Sequence, residues 1–202
     1  MTAAPVGFDL DMTLIDSRAA ILGSFAGVAA ETGVAIDPAA VDRRLGVKLE
    51  DELAHWLPPE AIEPAMRIYR THYLRLAGPL TRLLPGALES LAAVRAAGAR
   101  AIVVTAKLEA TARLSLDALG LVPDAVYGGV HGPEKAAVLA SVGAAVYVGD
   151  TPADMAAAVT AGARPVGVAT GSFTGDELRA AGAANVLLSL SAFSGLYQSF
   201  VA

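Results

Sequence analysis

Two aspartates, Asp9 and Asp11, follow a short apolar run near the beginning of the chain, and Thr13 comes two residues later. A continuous apolar run that ends in polar residues is typical of a buried strand in a parallel sheet. Ligands of open α/β sheets bind beyond the carboxyl ends of such strands, and strand alternation points both carboxylates to one side. At about 4 Å they would repel by roughly 4 kcal/mol at an effective dielectric near 20, so they must share a proton or enclose a cation. An acidic turn that only ends a strand would show the same pattern. The residues at the other predicted strand ends are therefore needed to distinguish a functional site from such a turn.

Polar side chains also occur at three later strand ends. Thr105 closes the second predicted strand, and Lys135 lies in the first turn of the helix after the third. Asp150 and Asp154 follow the fourth. Each has an ordinary explanation, because threonine can close a strand, a first-turn lysine can be solvated, and aspartates can cap helices. All of them together at one edge of one sheet favour a functional site.

The elements that would position these groups alternate between strand and helix from residue 84 onward. Apolar runs predict strands over 100–105, 124–127, 144–149, 165–169 and 185–188. Helices are predicted over 86–97, 109–119, 153–161 and 174–181, around Lys135 and at the C-terminal end. This alternation is typical of a parallel sheet covered by helices on both faces. The predicted fold class is α/β, with a doubly wound, mostly parallel, Rossmann-like sheet.

A helical segment separates the first strand from the second. Helices are predicted over 18–32, from Asp37-Pro38, over 49–57 and over 60–77, and no strand-like run is visible between residues 17 and 84. We therefore expect a core domain made of residues 1–16 and 83–202, with an inserted all-helical cap domain over residues 17–82.

Composition narrows the range of functions. The 202 residues carry a formal net charge of −5, which argues against non-specific nucleic-acid binding because that requires a basic face. A small phosphorylated substrate remains compatible, since a local cation can reverse the sign of the field. The chain has no cysteine, which excludes a disulfide framework, a zinc–thiolate site and a thiol nucleophile. We expect no signal peptide, no membrane span and a cytoplasmic location.

The four polar segments, taken in order, resemble a known family. They are FDLDMT at 8–13, VVT at 103–105, Lys135, and GDTPAD at 149–154. Together they are similar to the ordered motifs of the haloacid dehalogenase-like hydrolase superfamily. The helical insertion, the DS at 16–17 and the LPG at 84–86 resemble its phosphoglycolate phosphatase and β-phosphoglucomutase branch. This resemblance implies a phosphatase that uses Mg²⁺ and hydrolyses a small phosphorylated metabolite, phosphoglycolate-like or a sugar phosphate, through an aspartyl-phosphate.

The same resemblance implies roles for the carboxylates. Asp9 would be the nucleophile, and Asp11 would be the general acid for the leaving oxygen and then the base for water. The Mg²⁺ ligands would be the Asp9 carboxylate, the Asp11 backbone carbonyl and Asp150. Asp154 would support the metal site, often through water or a lysine.

It also implies a phosphoryl-binding group made of Thr105 and the backbone around Ala106 and Lys107. Lys135 would stabilise charge on the transferring group. Ala106 stands where this branch usually has Ser or Asn, so a side-chain donor is lost and the backbone donor is kept.

Two further departures concern the loops. Met12 stands where the branch usually has Gly, so we expect its turn to avoid a glycine-only conformation and its side chain to narrow the pocket or contact the cap. The connection before Lys135 is short, and Ala136 replaces the usual Pro. It leaves no room for a second cap, so the roof of the pocket must come from residues 14–84.

The segment 43–48 of the cap, Arg-Arg-Leu-Gly-Val-Lys, resembles the substrate-specificity loop of the branch. Arg44 and Lys48 are the candidates for binding the distal groups of the substrate. A solvated helix end is the competing interpretation of this basic segment.

Three other activities compete with a phosphatase. A phosphomutase would use the same motif residues, because water and a sugar hydroxyl are alternative acceptors. A dehalogenase is disfavoured, since its chemistry does not need Asp11. A non-catalytic module with an acidic pocket would need neither the helical insertion nor a complete motif set. A small phosphorylated substrate is the only predicted partner, with no nucleic acid and no membrane, and oligomeric state is left open.

Overall fold

The computed structural model describes residues 3–201, and its main sheet is parallel throughout. The strands are β1 (Ala3–Phe8), β2 (Ile15–Asp16), β3 (Arg82–Leu83), β4 (Ala99–Val104), β5 (Ala125–Tyr127), β6 (Val146–Gly149), β7 (Arg164–Val168) and β8 (Asn185–Leu187). Six of them form one sheet in the order β5-β4-β1-β6-β7-β8, and every neighbouring pair is parallel. The predicted α/β fold class is confirmed.

The helices follow the predicted order. They are α1 (Arg18–Thr32), α2 (Pro38–Arg43), α3 (Leu49–Leu53), α4 (Pro59–Leu80), α5 (Ala87–Ala96), α6 (Glu109–Ala118), α7 (Pro133–Val142), α8 (Pro152–Ala161), α9 (Gly175–Ala180) and α10 (Phe193–Val201). No helix within residues 3–201 is both long enough and apolar enough to cross a membrane.

Strand alternation separates the apolar core into two layers. In β4, Ala101 and Val103 belong to a cluster that also contains Phe193 of α10, whereas Ile102 and Val104 belong to a cluster with residues of α7 and α8. Successive side chains of a strand point to opposite faces, so helices cover both faces of the sheet. This is the doubly wound arrangement that the alternating pattern predicted.

Strand β1 lies in the middle of the sheet. Its Val6 is paired with Ala101 of β4 on one side and with Val146 of β6 on the other, and Val6 and Phe8 are completely buried. Residues that leave the carboxyl end of β1 therefore emerge between the ends of two neighbouring strands.

The helices α1 to α4 pack on one another around a third apolar cluster, which includes Phe25, Val28 and Leu53. Local signals explain their ends. Gly33 takes the left-handed conformation, with φ 74°, just after α1, and the Asp37 side chain accepts a hydrogen bond from the Ala39 N–H at the start of α2. The extent of the cap domain, 17–82, stays a prediction.

The structure corrects three boundaries in this segment. The helix predicted over 49–57 ends at Leu53, and the one predicted over 60–77 runs from Pro59 to Leu80. The expectation that no strand forms between residues 17 and 84 is wrong, because β3 (Arg82–Leu83) pairs antiparallel with β2 (Ile15–Asp16). Two-residue strands are too short to show an alternating pattern, so the sequence contained no signal for them.

Candidate active site

The turn after β1 is held by the carbonyl of Leu10, which accepts hydrogen bonds from the N–H groups of Thr13, Leu14 and Ile15. Met12 has φ 60°, the left-handed conformation, so the expectation that this turn avoids a glycine-only region is wrong. The Met12 side chain is buried and does not line the cavity described below, so it does not narrow that space.

Three carboxylates and one lysine meet at the carboxyl edge of the sheet. Asp9 follows β1, Asp150 follows β6, and Asp154 lies in the first turn of α8, with one oxygen of each within 4.8 Å of the others. Lys135 of α7 donates from Nζ to Asp9 Oδ1 at 2.9 Å and to Asp154 Oδ1 at 2.6 Å. All four side chains are buried, so little solvent screens their charges.

Asp150 and Asp154 differ in how many protein donors they bind. Asp150 accepts one side-chain hydrogen bond, from Thr13 Oγ1 at 3.1 Å. Asp154 accepts at Oδ1 from Lys135 and from the Tyr147 hydroxyl, and at Oδ2 from the Thr151 N–H and hydroxyl. Both oxygens of Asp154 are therefore occupied by protein donors, which makes Asp150 the better candidate for direct metal coordination.

Close backbone approach explains two glycines near these carboxylates. A Cβ on Gly149 would lie 2.4 Å from the Asp154 Cβ, and a Cβ on Gly171 would lie 2.0 Å from Asp150 Oδ2. Only glycine fits at either position without moving a carboxylate.

Electrostatics shows that the carboxylate cluster suits a divalent cation. Burial raises the pKa of Asp9 to about 7, although Lys135 opposes the shift, and burial together with Asp9 raises the pKa of Asp150 well above its usual range. When ionised, three carboxylates and one lysine leave two negative charges uncompensated. A set of oxygen donors with that charge fits Mg²⁺, which prefers oxygen ligands.

Asp11 has a different set of partners. Its Oδ1 accepts hydrogen bonds from Ser17 Oγ and from Lys107 Nζ, the latter at 2.6 Å. Lys107 also donates to the Tyr73 hydroxyl of α4 at 2.6 Å and lies 4.3 Å from the centre of that ring. Burial alone would lower the pKa of Lys107, but the Asp11 carboxylate and Tyr73 raise it, so this lysine stays charged.

Backbone N–H groups without a partner among the described residues occur in the loops that follow β1 and β4. No hydrogen bond within residues 3–201 uses the N–H groups of Leu10, Asp11 or Ala106. The buried Thr105 accepts from the Lys107 N–H at 3.2 Å, which fixes the chain after β4. Of these three residues, Asp11 and Ala106 line the cavity described below, so their N–H groups are free to donate to a ligand there.

A cavity of about 270 Å³ lies between the sheet edge and helices α1 to α4, and Asp150 is not among the residues that line it. Of the residues singled out from the sequence, it is lined by Asp9, Asp11, Arg44, Lys48, Thr105, Ala106, Lys107, Lys135 and Asp154. Arg44 is bound to the buried Glu52 through two hydrogen bonds of 2.8 and 2.6 Å, and Lys48 forms an ion pair with Glu134 of α7 at 2.9 Å. Both cations lie along the cavity with protein carboxylates as partners.

Comparison with known proteins identifies the family. A family model described as "Haloacid dehalogenase-like hydrolase" matches residues 6–168, which contain every motif residue discussed above. The chain belongs to this family. The predicted resemblance is therefore confirmed.

Relatives of this hydrolase carry phosphatase names. "Probable phosphatase IndB" of Dickeya dadantii is 30% identical over 217 residues, covering 91% of this chain and 94% of that protein. A phosphoglycolate phosphatase of Rhodospirillum rubrum is 32% identical over 203 residues, covering 87% and 83%. The enzyme class predicted from the sequence, a phosphatase of this family, is confirmed.

The structural comparison agrees with the sequence comparison. A haloacid dehalogenase-like family protein of Streptococcus pneumoniae superposes with a TM-score of 0.84 at 25% identity, covering 96% of this chain and 98% of that one. The hydrolase fold, including helices α1 to α4, is thus shared along nearly the full length.

Sequence reasoning missed three residues of this hydrolase site. Ser17 and Tyr147 donate to the motif aspartates, and Glu52 holds Arg44. Ser17 could have been found from its place beside Asp16 in the quoted DS pair. Tyr147 and Glu52 carried no signal, because a tyrosine in an apolar strand and a glutamate in an acidic helix are ordinary.

Proposed function

We propose that this protein is a Mg²⁺-dependent phosphatase that hydrolyses a small phosphorylated metabolite through an aspartyl-phosphate on Asp9. The observation that carries the proposal is the arrangement of one cavity wall. That wall contains two carboxylates with different hydrogen-bond partners, Asp9 and Asp11. It also contains the buried Lys135 and backbone N–H groups that have no partner within residues 3–201.

The metal ligands in this proposal are the carboxylates of Asp9 and Asp150 and the backbone carbonyl of Asp11. Mg²⁺ supplies positive charge that offsets the repulsion between the carboxylates and a bound phosphate. Asp154 supports the site by holding Lys135, since its own oxygens are occupied.

In the first half-reaction, Asp9 attacks the phosphorus atom. Lys135 binds Oδ1, which leaves Oδ2 as the attacking oxygen. As the Oδ2–phosphorus bond forms, the phosphorus–ester oxygen bond breaks, and Asp11 gives its proton to the leaving oxygen. In this proposal the transferred proton is held on Oδ2 of Asp11, because Ser17 and Lys107 both bind Oδ1. The products are a free alcohol and the aspartyl-phosphate.

In the second half-reaction, water attacks the same phosphorus atom. Asp11, now a carboxylate, takes the proton from that water, and the bond between phosphorus and the Asp9 oxygen breaks. Lys135 stabilises the returning Asp9 carboxylate, and the Asp11 and Ala106 N–H groups donate to phosphoryl oxygens throughout. The Thr105 hydroxyl, at the same edge of the sheet, also binds a phosphoryl oxygen in this proposal.

The substrate in this proposal is small, either phosphoglycolate-like or a sugar phosphate. The volume of the cavity, about 270 Å³, and the name of the Rhodospirillum relative support this size class. The cytoplasmic location expected from the sequence stays a prediction.

A screen of phosphorylated metabolites tests the proposal. We expect phosphate release from at least one small phosphomonoester that requires Mg²⁺ and is abolished by chelation. Phosphate release and isomer formation should be measured in the same reactions, because a mutase would form isomers instead. Absence of phosphate release from every member of the panel, with Mg²⁺ present, would contradict the proposal.

A further inference from the structure

The cations that line the cavity differ in whether a protein carboxylate neutralises them. They are Arg44, Lys48, Arg70, Lys107 and Lys135. Lys107 binds Asp11, and Lys135 binds Asp9 and Asp154. Arg44 binds Glu52 and Lys48 binds Glu134, as described above. Four of the five therefore already bind a carboxyl group of the protein.

Arg70 of α4 has none among residues 3–201. It takes part in no hydrogen bond or ion pair there, and its Nε is buried without a partner. A buried donor without a partner is unfavourable, and more so when the group is charged. Such a cation in a cavity wall is suited to an anionic group of a ligand.

The wall around Arg70 restricts what that anion can be. Met66, Tyr69 and Tyr73 of the same helix also line the cavity, so the part of α4 that carries Arg70 is otherwise apolar and aromatic on this side. Burial raises the pKa of Tyr69 well above its usual value, which keeps its phenol a neutral hydrogen-bond donor. Among the carboxylates that line the cavity, Glu50 is the one that forms no ion pair within residues 3–201. It is exposed and lies more than 4 Å from any cation of the described residues.

We infer that Arg70 is a specificity-determining residue that binds a carboxylate of the substrate while the phosphoryl group lies against Asp9. The substrate class is thus a small phosphomonoester that carries a carboxylate, and this inference rests on the proposed function. The fork of the guanidinium matches a carboxylate with two parallel hydrogen bonds. One carboxylate also balances the single charge of Arg70, whereas a second phosphate group would bring two negative charges to one guanidinium.

A binding experiment separates this role from catalysis. In an Asp9→Asn background with Mg²⁺, calorimetry would measure affinity for 2-phosphoglycolate and for 2-hydroxyethyl phosphate, which replaces the carboxylate by a neutral hydroxymethyl group. We expect Arg70→Gln to weaken 2-phosphoglycolate binding by about 10- to 100-fold and to change the neutral ligand by less than about twofold. Arg67→Gln, one turn earlier on the exposed face of α4, is the matched control and should change neither.

Steady-state kinetics adds a second measurement. Arg70→Gln should raise KM for carboxylated phosphomonoesters, and Arg70→Lys should recover only part of the loss, since lysine lacks the fork. Equal weakening of both ligands, or of neither, overturns the role of Arg70. That result leaves the proposed function intact if the wild-type protein still releases phosphate. If it releases none, the proposed function fails, and the binding measurement still decides the role of Arg70.

Discussion

The two aspartates of the first motif lie two residues apart but in different surroundings. Asp9 is surrounded by groups from the sheet edge and from helices α7 and α8, and its lysine, Lys135, also holds Asp154. Asp11 is bound by Ser17 and Lys107, and Lys107 is bound in turn by Tyr73 of α4. The environment of Asp9 is complete without α4, whereas that of Asp11 is not. A change in the position of α4 should therefore affect proton transfer more than nucleophilic attack.

The largest expected effect is at Asp9. Asp9→Asn removes the nucleophile and keeps the shape of the side chain, so turnover should fall by at least about 1,000-fold with the fold intact. Phosphate release and thermal unfolding would be measured on the same preparation. Retention of more than a few per cent of wild-type activity by a folded variant would remove Asp9 from the nucleophile role.

The next comparison is within the metal site. Asp150→Ala should weaken Mg²⁺ binding by about tenfold or more, and by more than Asp154→Ala does, because the Asp154 oxygens already bind Thr151, Lys135 and Tyr147. Titration of Mg²⁺ into both variants decides the order. If Asp154→Ala proves the more damaging for affinity, the two aspartates exchange roles.

A smaller effect is expected when the hydrogen bond between Lys107 and Tyr73 of α4 is removed. Tyr73→Phe removes one hydrogen bond to Lys107 and keeps the ring that stacks on Tyr69. Loss of about 1 kcal/mol should lower kcat by roughly fivefold and leave Mg²⁺ affinity unchanged. A variant with wild-type kcat would show that Asp11 does not depend on α4, and the contrast with Asp9 would be lost.

The smallest effect is expected at Lys48, which pairs with Glu134 across the rim of the cavity. Both side chains are substantially exposed, so the pair itself should contribute little. If Lys48 contacts substrate, Lys48→Ala should raise KM by less than about threefold with kcat unchanged. Glu134→Gln is the matched control, since it breaks the same pair and keeps the lysine. Identical kinetics for the two variants would remove Lys48 from substrate binding.

Much of the core could be predicted from the sequence because its signals are local and repeated. Buried strands such as β4 and β6 are continuous apolar runs, and the polar residue after each run marks the edge where ligands bind. That is why the sequence alone places Thr105 and Asp150 at the same sheet edge as Asp9.

The rest depends on contacts between distant segments. The partners of Arg44 and Lys48 are Glu52 and Glu134, and nothing in the segment 43–48 indicates that either cation is already neutralised. The positive φ angle of Met12 could not be predicted from the sequence either. Its carbonyl accepts a hydrogen bond from the Thr170 hydroxyl at 2.5 Å, a contact made across most of the chain length.

The short ribbon of β2 and β3 has a consequence for motion. The chain leaves the sheet edge through Ile15–Asp16 and returns through Arg82–Leu83, and these two connections are hydrogen-bonded side by side. Two connections joined in this way are placed to act as one hinge for helices α1 to α4 rather than as two independent linkers. Because Tyr73 and Arg70 both belong to α4, a movement at this hinge would carry the two side chains together toward or away from the sheet edge. A roof that opens for exchange would then keep the spacing between these two groups.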